Sequence, residues 1–146
     1  MKIAAWSAVA FSILATVPVA EAASARAEFE KYGLLGTYSI DCAKPVSPTN
    51  GYVVYRALDA NRVQRDTLDS PNKSLFVSVA ETAAVISLNE ITVTGVTGDG
   101  KPLTYTLRID GQSLRVMQWT EGGVQSVVDG VWTEQKYVMP WLRKCQ

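Results

Sequence analysis

The residues able to do chemistry are few. The 146-residue chain has no histidine, two cysteines, and equal numbers of basic and acidic side chains. Without histidine there is no Ser-His-Asp or Cys-His arrangement, no imidazole base near neutral pH, and almost no route to a zinc or copper site. Carboxylates, lysines, serines and tyrosines remain, but no spacing among them sets a nucleophile beside a base. Glu81 and Glu90 have no sequence neighbours that would perturb a carboxyl group. Asp99 and Asp110 lie in glycine-containing turns, with too few oxygens at the wrong spacing for a calcium loop. Neither a metal nor a cofactor is expected, and the expected class is binding without catalysis.

Cys42 and Cys145 stand about 100 residues apart and outside any C-x-x-C pair. In an oxidising compartment two such cysteines most simply form one structural disulfide. The N-terminus indicates that compartment. Lys2 gives a short positive start, positions 3–19 are mostly apolar and small, and Ala20-Glu21-Ala22 is an A-x-A type processing site. Residues 1–22 therefore read as a signal peptide rather than an anchor, with cleavage near Ala22 and a periplasmic or secreted product. Its removal takes Lys2 and Glu21 together, so the charge stays balanced. Without clustered Lys and Arg, nucleic acid is not expected as a partner, and no stable membrane insertion is expected.

The elements that must carry any site are short. Residues 23–32 read as an N-terminal arm with helical propensity, Phe29 and Tyr32 lying three apart on one face. Residues 33–146 read as one domain of period-two strands. Positions 35–42 alternate Tyr38, Ile40 and Cys42 against Thr37, Ser39 and Asp41, and 43–51 is an irregular loop with two prolines. Strands follow at 52–57, 62–67 and 75–80. The stretch 84–96 is long for one strand, and Asn89-Glu90 is a place where it divides. Positions 103–109 and 114–119 flank Asp110-Gly111, a strong hairpin signal. The last strands lie within 124–138, and Pro140-Trp141 ends the regular part. The fold class is all-β: a single antiparallel eight-stranded barrel, or a two-sheet sandwich, preceded by the short helical arm.

Gly36-Thr37-Tyr38 resembles the G-x-W that opens the first strand of lipocalins, with Tyr in place of Trp. That resemblance implies a lipocalin-like (calycin-type) barrel in which Gly36 lets the chain bend and Tyr38 plugs the closed end. It also implies a basic residue near the last strand, for which Arg143 and Lys144 are the choices. The segments 33–38, with Asp41-Cys42 and Pro45, and 140–145 are similar to those of small exported alphaproteobacterial proteins, which implies architecture rather than activity. The plan also resembles exported lysozyme inhibitors and metalloprotease inhibitors, the latter acting through an N-terminal arm.

Tyr38, Tyr105, Arg115, Trp119, Trp132 and Trp141 are the expected ligand or partner contacts. With Leu114 and Val116 facing inward, Arg115, Met117 and Trp119 would form an exposed aromatic and cationic face. Arg56, Arg62 and Arg65, with Asp59 and Asp66 nearby, are expected to pair across strands on a solvated face. The expectation for function is an exported protein holding a small apolar molecule in its barrel. The alternative is a module that binds an envelope protein through its loops or arm, such as a protease or lysozyme inhibitor.

Overall fold

The computed structural model describes residues 22–146, so the segment read as a signal peptide lies outside the described residues apart from Ala22. The elements are β1 (Ala23–Ser24), α1 (Ala25–Lys31), β2 (Gly36–Ser39), β3 (Tyr52–Ala57), β4 (Val63–Ser70), β5 (Lys73–Ser87), β6 (Glu90–Thr97), β7 (Pro102–Asp110), β8 (Ser113–Glu121), β9 (Val124–Val128), β10 (Val131–Trp132), β11 (Tyr137–Val138) and β12 (Leu142–Cys145). Strands β2 to β8 and β12 close into an antiparallel eight-stranded barrel, because β8 pairs with both β7 and β12. The barrel, not the sandwich, is the architecture.

Alternation along the strands decides which side chains face inward. Val53 and Tyr55 of β3, Val63 of β4, Ala80 of β5, Val93 of β6 and Leu107 of β7 are all buried and form the core. Outward positions are polar: Thr92 hydrogen-bonds Thr106 across β6 and β7, and Thr82 meets Thr94 across β5 and β6. An apolar inside and a polar outside is the reverse of a membrane-spanning barrel. Among the described residues no helix is long and apolar enough to cross a membrane.

Residues 23–31 are docked rather than free. β1 pairs with β5, Ser24 caps the helix by accepting from Ala27 N, and Ala25 and Phe29 are fully buried. Leu34 N donates to Phe29 O (2.7 Å) and Gly33, at φ 64°, donates to Glu30 O (3.1 Å), a left-handed stop that only glycine makes without strain. Arg26 anchors the helix to the β3–β4 turn through Asp59 O (2.7 Å) and Asn61 O (3.0 Å). The helix thus covers the barrel end that carries the turns at 58–62 and 111–112.

Four sequence readings are corrected. β2 stops at Ser39, which is buried where it donates to Asn50 Oδ1 (2.9 Å) of the following loop, while Ile40 is exposed and Cys42 lies in a turn. Asn50 also donates to the carbonyls of Asp41, Lys44 and Pro45 and holds the 43–51 loop together. Positions 75–80 and 84–87 belong to one strand, β5, because an irregularity at Glu81 resets the alternation between Ala80 and Ala83. Regular structure does not end at Pro140, since β12 pairs with β2 and β8 as the closing strand and includes Arg143 and Lys144. The 124–138 region is not part of the ring: β9 pairs with the far half of β8, and β10 and β11 extend a ribbon away from it.

Cys42 and Cys145 are bonded, with Cα atoms 5.4 Å apart and a sequence separation of 103. Closing so long a loop restricts the unfolded chain and contributes about 4 kcal/mol. We expect the Cys42→Ala/Cys145→Ala protein to keep its strand circular dichroism and to melt about 10 °C lower. A second weak point is Gly95, where an added Cβ would stand 1.9 Å from Val79 O on the neighbouring strand. Gly95→Ala has to push β5 and β6 apart, so thermal melting should show a loss of roughly 3 kcal/mol, well above the usual cost of a surface change.

Candidate functional site

The two barrel ends differ in what fills them. At the helix end Tyr38 is buried and donates to Leu34 O (3.1 Å), and its ring meets Tyr55 edge-on at 5.9 Å. Phe29 packs against the other side of Tyr55 at 5.2 Å. Lys144, opposite Tyr38 on β12, passes over Gly36 and donates to Gly33 O (2.7 Å). A recess of about 300 Å³ lies beside Tyr38, Gln112 and Lys144 at this end.

The opposite end holds a cavity of about 400 Å³. Leu75 and Phe76 of β5, Val116 and Trp119 of β8, and Trp132 and Met139 of the ribbon form its apolar walls. Trp119 stacks on Tyr105 (5.2 Å, 23°) and meets Phe76 edge-on at 5.5 Å. The volume and apolar lining fall in the range of small-molecule sites.

Trp119 does not belong to an exposed face with Arg115 and Met117, as its sequence spacing indicated. The β7–β8 register shifts between Thr106 and Leu107, so Met117 is an extra residue with no partner. Such a bulge reverses the alternation beyond it. Leu114, Val116 and Trp119 then all face inward, Met117 is buried, and Arg115 lies on the outer side. Arg115 donates to Gly130 O (3.0 Å) and lies over that glycine, where a Cβ would meet its guanidinium at 2.6 Å. It fixes the β9–β10 turn to the barrel. Tyr105 is buried beneath Trp119, Trp132 lines the cavity mouth, and Trp141 lies half-exposed between ribbon and closing strand, away from the cavity. Of the six expected contacts, the cavity brings Trp119 and Trp132 together with Tyr105 beneath them; Tyr38, Arg115 and Trp141 lie elsewhere.

Arg65 is the residue that sequence reasoning misplaced. Arg56 and Arg62 do pair on the surface, with Asp66 (3.0 Å) and Asp59 (2.6 Å). Arg65 instead follows the inward phase of Val63 and Thr67 and is buried at the base of the cavity. Its Nε donates to Tyr55 Oη (3.3 Å) and its Nη1 to Thr67 Oγ1 (2.8 Å). The rings of Trp119, Phe76 and Tyr55 surround the guanidinium carbon at 5.0, 5.8 and 5.9 Å, a cation–π arrangement. Strict alternation from Val63 was the available signal, but it is outweighed in sequence by the usual exposure of arginine.

Two further polar groups in this interior lack partners: Ser78 Oγ, on the strand position opposite Arg65, and Tyr105 Oη. Burial, reinforced by the Tyr55 phenol, raises the Tyr105 pKa well above that of a free tyrosine, while the Arg65 charge pulls it the other way. Glu121 stands at the cavity rim and faces Lys101 at 3.6 Å. Among the described residues no group of His, Cys, Asp and Glu could hold a metal ion. Glu90 pairs with Arg108 (2.7 Å), far from Glu81 in the sheet register.

The buried phenols give a pH test. Burial, with Tyr55 beside it, pushes Tyr38 up to about 12. The folded state therefore keeps protons that the unfolded state loses above pH 10, and that share of stability is full below pH 10 and disappears as pH rises toward 12. Phenolate absorbance should show Tyr38 and Tyr105 ionising only as the protein unfolds.

Comparison of the chain with protein-family models, curated proteins and solved structures finds no match, so its reading rests on the barrel and its cavity.

Proposed function

We propose that this is an exported, non-catalytic binding protein that holds a small apolar molecule at the open end of its barrel. The observation that carries the reading is the cavity of about 400 Å³ walled by Leu75, Phe76, Val116, Trp119, Trp132 and Met139. At roughly 30 Å³ per heavy atom, the share of a water molecule in the liquid, it holds about a dozen heavy atoms. The disulfide supports an oxidising compartment, periplasmic or extracellular.

The alternative is a protein-binding module, and the ribbon favours it in one respect: Val124, Tyr137 and Val138 are exposed, as is Leu75 at the cavity. The version in which residues 23–32 enter a partner's cleft loses support, because Ala25 and Phe29 are already buried against the barrel.

Native mass spectrometry of the protein from its own compartment tests the reading. We expect a bound mass that denaturation releases, and quenching of Trp119 fluorescence when octanol is added to stripped protein. Val116→Trp fills the cavity and should abolish both while the protein still melts cooperatively. No bound mass and no response to octanol up to its solubility would end the proposal and leave the outer surface as the functional face.

A further inference from the structure

A buried guanidinium is costly unless its charge and its N–H groups are met. The three rings around Arg65 satisfy the face of the guanidinium plane, and Tyr55 and Thr67 accept two of its edge hydrogens. Arginine has five such donors. Nη2 donates to no protein atom among the described residues, and no carboxylate among them pairs with the group. The nearest acidic side chains are otherwise occupied: Asp66 turns outward to Arg56, and Glu121 at the rim faces Lys101. A positive edge without a protein partner therefore lines the cavity, and because it is not one of the fully buried groups left unpaired, solvent reaches it until a ligand replaces that solvent. Ser78 Oγ and Tyr105 Oη add two buried hydroxyls without partners to the same interior.

We propose that the molecule held here is a small organic carboxylate, its apolar body under Trp132 and its carboxylate on the free N–H edge of Arg65. This rests on the cavity reading above and names the class of its ligand. The planar fork of arginine matches a carboxylate in two parallel hydrogen bonds. A single negative charge neutralises the one unpaired positive charge, whereas a doubly charged phosphate would leave a net charge in an apolar site. A neutral alcohol of the same shape can accept one of those hydrogens but leaves the second unpaired and the charge unneutralised.

The test compares octanoate with octanol on stripped protein, by Trp119 fluorescence and calorimetry. We expect octanoate to bind about tenfold or more tightly than octanol, the discrimination typical of a charged hydrogen-bonding partner. Arg65→Met should remove that preference, so that octanoate binds the variant no more tightly than octanol does. A measurement on the native chain stands beside the variant: carbon NMR of carboxyl-labelled octanoate should show the bound acid staying ionised to lower pH than the free acid. Equal binding of octanoate and octanol, or a bound carboxyl group that protonates at higher pH than the free one, overturns the carboxylate and leaves the apolar cavity standing. Failure of both compounds to bind overturns the cavity reading and this inference with it.

Discussion

The barrel depends on how its last strand is held. β12 has four residues, and among the described residues it is the only strand that joins β2 to β8. A strand so short has few ladder hydrogen bonds and little apolar surface of its own. Three side-chain devices supply the rest. Cys145 is bonded to Cys42 beyond the far end of β2, Lys144 reaches back to Gly33 at the end of the helix, and Leu142 packs on the core. The first and last parts of the folded chain are therefore fixed to each other and to the helix that covers one end.

That closure leaves the two ends with different characters. One end is filled with Phe29, Leu34, Tyr38 and Tyr55, and the interior there is dense. The other end is held open by the ribbon, which leaves the ring at β8 because β12 occupies only the near half of that strand's edge. Arg115 keeps the ribbon in place from outside, while Trp132 and Met139 wall the cavity from inside. Arg65 stands where the packed interior meets the open one. Its stem and ring contacts belong to the core, and its unpaired edge belongs to the cavity.

Much of this was legible in local sequence because local chemistry decides it. The turn at Asp110-Gly111 needs positive φ, and Gly111 has it at 56°. β3 runs over the residues its alternation marks, and the 43–51 loop is irregular where prolines and Asn50 make it so. What was not legible depends on partners distant in sequence. The bulge at Met117 exists only against β7, so the inward turn of Trp119 could not be read from β8 alone. β12 is too short to show a period and follows Pro140-Trp141, which reads as an ending. Arg65 defied the rule that arginines lie outside, and its position follows from the register with Tyr55 and Ser78.

The position of β12 also imposes an order of events. Thr37 and Cys145 are register partners separated by almost the whole folded chain, so the ring is a high contact order topology whose final pairing carries the largest loop-closure entropy. While the last strand is being made, β2 and the near half of β8 have open backbone edges. An N-terminal fragment is thus not a smaller barrel but a curled sheet with two adhesive edges. Oxidation of the cysteine pair holds Cys42 and Cys145 together in the unfolded chain and so eases that pairing, but it cannot replace the meeting of the edges. The interval before that meeting, rather than any stage of the finished structure, is when this chain is most open to aggregation or to a chaperone.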